Sequence, residues 1–245
     1  MSLRAAIAFF TRLPVGAPPA HASFHGIVGW LPVVGILVGA GVAVVLWCAA
    51  HFLPPAVCGL LGCLVWVGLT GGLHLDGVAD CADGLLVEAP PARRLEIMKD
   101  SRLGTFGALG LFFVLGGKTL ALGALVSPAG ASGAELLPLL ALCGMAAVTA
   151  RSAVLLALLL PCARPGGLGS AMNTGITTRN RLWAVLLALV FCLANGTRGL
   201  LALVVALLVV AFLLRAARRR IGGVTGDVFG CVVEVTECGM LLAVC

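Results

Sequence analysis

Charge is what this chain of 245 residues has least of. Only 11% of its residues are Asp, Glu, Lys or Arg, against about 25% in soluble domains. With 61% hydrophobic residues, a water-soluble globule is excluded, because too little polar surface remains to cover the core. Tyrosine is absent and aromatics make up 6%. That argues against a transmembrane barrel, which shows alternating segments and aromatic girdles. None of the ten cysteines forms a C-x-x-C pair, so neither a zinc site nor a disulfide framework is expected. Most read as small apolar residues packed between helices. A small-residue cleavage site after an apolar run is also missing, and Met1 to Pro14 reads as a short interfacial helix.

What remains is long apolar runs. A bilayer core of about 30 Å takes about 20 helical residues. Seven candidate spans fall near 27–50, 55–73, 105–127, 135–160, 182–196, 199–214 and 228–245. The expected fold is therefore all-α, a polytopic integral membrane helical bundle of about seven helices plus the N-terminal interfacial helix. It forms a single domain over residues 1–245.

The basic residues alternate in their placement. Arg4, Arg12, Arg93, Arg94, Lys99, Arg102, Arg164, Arg179, Arg181, Arg215, Arg218, Arg219 and Arg220 fall in alternate connections, and the intervening ones carry Arg198. The positive-inside rule places the basic connections in the cytoplasm, of a bacterial inner membrane. The net charge of +6 then calls for lipid headgroups as partners and for no nucleic acid.

One stretch concentrates acid: Gly71-Gly72-Leu73-His74-Leu75-Asp76-Gly77-Val78-Ala79-Asp80-Cys81-Ala82-Asp83-Gly84. On a helix, the spacing places Asp76, Asp80 and Asp83 on one face. Like charges there repel, and a hard cation relieves the repulsion. Oxygen-only ligands suit Mg²⁺. A short solvated loop is the plainer alternative. Asp227 follows Gly222-Gly223-Val224-Thr225-Gly226 and reads either as a fourth metal ligand or as a helix cap. Lys99, Ser101 and Arg102 lie beside Gly104 and Gly107. Arg102 offers a fork for phosphate, and headgroup contact is the alternative. The three polar elements share the cytoplasmic side and can converge.

Lys118, Arg151, Glu234 and Glu237 are ionisable groups at membrane depth. Such groups pair or line a polar cavity. Interhelical ion pairs are one reading and substrate contact the other, with Arg151 the first candidate for a buried anion. His74 is either a general base or a hydrogen-bonded interfacial residue. His21, His25 and His51 show no ligand spacing. The polar, glycine-rich connection 161–181 is either a lid or a flexible spacer.

Four segments occur together in this order: Phe10-Thr11-Arg12-Leu13-Pro14, Gly71 to Asp80, Glu96-Ile97-Met98-Lys99-Asp100-Ser101-Arg102-Leu103-Gly104-Thr105, and Gly222 to Asp227. With them the chain resembles the cobalamin synthase family, the membrane-bound adenosylcobinamide-GDP ribazoletransferases, over nearly its full length. The resemblance implies a Mg²⁺-dependent transfer late in vitamin B12 assembly. Adenosylcobinamide-GDP is joined to α-ribazole or its 5′-phosphate, and GMP is released. It implies Asp76, Asp80, Asp83 and Asp227 as metal and catalytic residues, with Asp83 or Asp227 the proton acceptor. Arg12, His74, Lys99, Ser101, Arg102, Arg151 and Thr225 are the implied substrate contacts. A homo-oligomer, or a complex with other late cobalamin-assembly enzymes, is a further expectation.

The acid pattern is also similar to that of CDP-alcohol phosphotransferases, but Asp76-Gly77-Val78-Ala79-Asp80 lacks their Asp-Gly-x-x-Ala-Arg run. A secondary transporter is a more distant alternative, since no repeated halves are evident and the aspartates fall at the end of a span.

Overall fold

A computed structural model of the chain describes residues 3–16, 26–126, 135–164, 166, 168–172 and 174–245, without the side chain of residue 168. His21, His25 and parts of the 161–181 connection lie outside the described residues. The helices are α1 (Leu3–Phe10), α2 (Leu31–Ala50), α3 (Pro55–Thr70), α4 (Leu75–Leu86), α5 (Pro91–Ile97), α6 (Thr105–Val126), α7 (Leu136–Ala157), α8 (Leu168–Met172), α9 (Thr178–Ala194), α10 (Gly196–Ile221) and α11 (Gly226–Ala243). Among the described residues there is no strand, only an isolated bridge between Cys162 and Val224. The all-α expectation holds.

Each of the seven expected spans is a helix, but not each is long and apolar enough to cross a membrane. Four are: Ile27–Ala50, Thr105–Val126, Leu136–Ala157 and Gly196–Ile221. A fifth arises if α3 and α4 count as one broken span, bent by 92°. The shortfall has plain causes. Helix α3 has 16 residues and α9 has 17, and α11 carries Asp227, Glu234 and Glu237. A second correction concerns the arginines placed in a connection after the sixth span. Helix α10 runs 26 residues, about 39 Å at 1.5 Å per residue, so Arg215, Arg218, Arg219 and Arg220 ride on its last turns.

Helix α7 is the most enclosed of the long helices and forms the axis of the core. Helix α2 approaches it through Gly35 and Gly39, small residues that let two helix backbones meet. A Cβ at Gly39 would sit 2.8 Å from the Cys143 carbonyl oxygen, on backbone that cannot swing aside. Gly39→Ala is therefore expected to destabilise the protein by about 1–3 kcal/mol, the usual cost of overpacking. Gly116→Ala, where a Cβ meets open space, should leave stability unchanged or slightly raised. Thermal unfolding of both variants in detergent checks this.

The ends of the bundle differ. Arg164, Arg94, Arg181 and Arg220 all bond backbone carbonyls near the C-termini of α4, α5 or α7. This basic end is where α4 lies. Gly71 and Gly72 adopt left-handed φ of 65° and 68°, which glycine tolerates without strain, and they form the elbow between α3 and α4. With 12 residues, about 18 Å, α4 cannot span and lies across the starts of α6 and α11. Its C-terminal carbonyls are capped by arginine. Arg94 donates to Gly84 at 3.2 Å and Leu85 at 2.6 Å, and Arg220 also donates to Leu85. Those orphan carbonyls would otherwise lack partners.

Seven of the ten cysteines are buried and all ten are free thiols, in keeping with their reading as small apolar residues.

Candidate active site

The acidic stretch is helical, as its spacing predicts, and three elements meet around it. Gly77 of α4 packs against the backbone of Asp227 at the start of α11; a side chain there would push the two apart. Asp83 turns to α6: its Oδ2 accepts from the Gly104 N–H at 2.8 Å and its Oδ1 from the Gly107 N–H at 2.9 Å. It caps the N-terminus of α6, where acid is favoured by both the free N–H groups and the helix dipole.

The start of α11 is capped by Thr225, whose hydroxyl accepts from the Val228 N–H at 3.3 Å and donates to Asp227 Oδ2 at 3.2 Å. This settles the cap in favour of Thr225, and Asp227 occupies the first turn instead. Asp227 Oδ2 also accepts from Arg164 Nη1 at 3.1 Å. Arg164 reaches it because the backbone around Cys162 pairs with Val224, through Ala163 N–H to Val224 O and Val224 N–H to Pro161 O, both at 2.9 Å. Sequence reasoning missed Arg164 as a site residue. It sits in a connection read as lid or spacer, and only the bridge to Val224 brings it to the acids. The one available signal was an arginine at the head of a glycine-rich stretch, 165–178, that carries no charge.

Two cavities of about 230 Å³ each flank α4. The first is bounded by α1, α2, α7, α8 and α11, and holds His74, Asp76, Arg164, Thr225 and Asp227. The second lies between α4 and the α5–α6 connection, and is lined by Asp76, Asp80, Asp83, Asp100, Ser101 and Arg102. Asp76 borders both.

The local charge is lopsided. Asp80 faces Asp227, Asp76 and Asp83, with Arg164 as the opposing cation, and burial together with this repulsion pushes its carboxyl up to about 7. The folded state therefore holds a proton that the unfolded chain has released, between about pH 4 and 7. Stability must fall as pH rises through that window. In chelator, the wild-type melting temperature should drop between these pH values more than that of Asp80→Asn, and equal slopes would remove Asp80 as the cause.

The oxygen-only donor set fits Mg²⁺ in kind. Among the described residues, however, no three His, Cys, Asp or Glu side chains stand close enough to form a ready-made metal cage. The diversion of Asp83 to the α6 amides is one reason. What the residues do fit is an ion held by one or two carboxylates and completed by phosphate oxygens and water, the common arrangement for Mg²⁺.

The other expected contacts divide. Ser101 and Arg102 line the second cavity. Arg102 forks onto Asp100 at 2.5 Å, holding that carboxyl at about 2, yet its side chain is 87% exposed and can swing toward a ligand. His74 and Thr225 line the first cavity. Lys99 is exposed and lines neither. Arg12 packs over Gly71, and its N–H bonds Leu69 O at 2.8 Å; it ties the N-terminal arm to the elbow and borders neither cavity.

Arg151 is likewise apart. It pairs with Glu237 and donates to Ala147 O at 3.0 Å, fully buried. Glu237 also binds Lys118, which binds Glu234, each at 2.5 Å. Lys118 Nζ lies 5.0 Å from the Trp66 ring centre, a cation–π distance. Of the two readings open for these groups, the structure takes the interhelical ion pair, joining α6, α7 and α11. His74 Nδ1 stands 3.8 Å from Glu234, beyond hydrogen-bond reach, and is buried without a hydrogen-bond partner among the described residues, where this network meets the wall of the first cavity.

A family model described as cobalamin-5-phosphate synthase matches residues 2–245. The chain is similar to the adenosylcobinamide-GDP ribazoletransferase of Pseudomonas aeruginosa PAO1, 43% identical over 249 residues that cover 99% of this chain and 96% of the relative. It is 38% identical to that of Stutzerimonas stutzeri A1501, over 99% of this chain and 96% of the relative. The Klebsiella pneumoniae relative is 36% identical, over 99% and 98%. No solved structure matches. A match over essentially the whole chain, at these identities, leaves one conclusion: the chain belongs to the cobalamin-5-phosphate synthase family.

Proposed function

We propose that the protein transfers cobinamide phosphate from adenosylcobinamide-GDP to α-ribazole or its 5′-phosphate, releasing GMP, at the nucleotide-loop assembly step of cobalamin biosynthesis. The observation that carries this reading is the convergence of four carboxylates, two helix N-termini and two arginines, Arg164 and Arg102, at the basic end of an apolar bundle. Full-length similarity to relatives named for this activity supports it.

In the transfer, a ribose hydroxyl oxygen forms a bond to the phosphorus on the cobinamide arm. The bond from that phosphorus to the bridging oxygen breaks, and GMP departs with the bond's electron pair. Arg102, on the acid-rich cavity, is placed to neutralise phosphate oxygens, while Arg164 holds Asp227. A Mg²⁺ entering with the diphosphate, held by Asp76 and Asp80, would supply charge stabilisation at the departing oxygen. Of the two acids offered as proton acceptor, Asp83 is committed to the α6 amides, which favours Asp227. Positioning then supplies much of the rate, as in other phosphoryl transfers. The basic end faces the cytoplasm of the inner membrane under the positive-inside rule, where a nucleotide-linked substrate is available.

A transporter fits less well. The ionic groups at mid-bundle are no more than 3% exposed and are packed as a sealed cluster.

The test is purified protein in detergent with adenosylcobinamide-GDP and α-ribazole. GMP should appear only when both substrates and Mg²⁺ are present. GMP release without ribazole would point to a hydrolase instead.

A further inference from the structure

The two cavities beside α4 differ in chemistry, and the difference sorts the substrates. The first starts at the polar residues around the α11 N-terminus and follows α11 from Asp227 to Val233, six residues or about 9 Å. Along that path its wall becomes apolar: Phe9, Phe10, Leu31, Val154, Phe229 and Val233. The second cavity has aliphatic side chains too, from Leu75, Leu103 and Leu111 among others, but no aromatic wall among the described residues, and it gathers four aspartates with Ser101 and Arg102.

We propose that the first cavity is the α-ribazole site, with the benzimidazole base between the phenylalanines of α1 and α11 and the ribose at Asp76 and Asp227. The diphosphate of the other substrate then lies in the second cavity, and its guanosine outside the first. This inference rests on the ribazole-transfer reading.

Three observations support the assignment. The first is polarity. Guanine carries an exocyclic amine, a carbonyl and a ring N–H that would lose their partners against phenylalanine and valine, and unpaired buried polar groups are costly. Dimethylbenzimidazole presents two methyl groups there and keeps one ring nitrogen as an acceptor. The second is the supply of donors. Arg164 Nε is buried without a hydrogen-bond partner in this cavity, ready for an acceptor on the base or sugar. Size is the third: about 230 Å³ is below the ~300–1,000 Å³ of drug-sized ligand sites, which admits a bicyclic base and excludes a corrinoid. Asp76, shared by both cavities, marks where hydroxyl and phosphorus meet.

The test is steady-state kinetics of the full chain with Mg²⁺, varying each substrate. Val154→Phe fills the apolar end. The KM for α-ribazole should rise at least about tenfold, the lower range for a misfit in an apolar pocket, while the KM for adenosylcobinamide-GDP stays within about twofold of wild type. Phe229→Leu, which removes an aromatic wall with little change in volume, should move the same constant and keeps the test open if the first variant fails to fold. A rise confined to the KM for adenosylcobinamide-GDP would assign the cavity to guanosine and overturn the proposal. So would unchanged constants in both variants. Failure of the transfer reading shows separately, as absence of GMP release by wild type. In that case 5,6-dimethylbenzimidazole alone should still raise the melting temperature of wild type more than that of Val154→Phe, and no such difference would overturn the site.

Discussion

Asp80→Ala is expected to lower turnover about 10²–10³-fold, the scale of losing one element of transition-state charge stabilisation, without loss of folded protein. Asp80 is half-buried and faces Asp76, Asp83 and Asp227. Removing it relieves repulsion, so the variant should be at least as stable as wild type in the absence of divalent cation. This pairing of a large kinetic loss with no stability loss distinguishes a functional carboxylate from a structural one. Initial rates of GMP release, with thermal unfolding on the same preparation, check it. Normal turnover by Asp80→Ala would remove this residue from the machinery.

The second large effect lies away from the reacting groups. Glu237 is the acid shared by Lys118 and Arg151, and all three side chains are enclosed. Replacing Glu237 with Ala strands Arg151 and leaves Lys118 with Glu234 alone, among helices α6, α7 and α11. Breaking a buried pair in this way costs about 3–5 kcal/mol. Removing one cation and one anion together, by Lys118→Met with Glu234→Leu, leaves Arg151 paired with Glu237 and should cost less than the single change. Unfolding in detergent measures both. Stability of Glu237→Ala within about 0.5 kcal/mol of wild type, as for an ordinary surface change, would show that the cluster is not the brace described.

Much of this was legible in the sequence wherever the information was local. Apolar runs located the helices, and the spacing of Asp76, Asp80 and Asp83 placed all three on one helix. The span expected over 55–73 runs through Gly71 and Gly72, where the chain turns at the elbow between α3 and α4. What was not legible depended on partners distant in the chain. Asp83 looks like its neighbours until the Gly104 and Gly107 amides, more than twenty residues on, claim its oxygens. Arg164 is unremarkable until Val224 pairs with its connection. Arg151 has the chemistry for an anion, but which anion it meets is decided by how α7 packs on α11. Hydropathy alone does not fix the span count, because α3 and α9 are short and their ends are set by turn and cap residues.

The central claim is that carboxylates of α4 share a divalent ion with the diphosphate. Mn²⁺ in place of Mg²⁺ makes this directly visible by electron paramagnetic resonance. Protein with adenosylcobinamide-GDP should immobilise Mn²⁺ far better than protein alone, since the acids form no complete cage by themselves, and Asp76→Ala with Asp80→Ala should abolish the gain. Equal Mn²⁺ binding by wild type and the double variant, with nucleotide present, would contradict it.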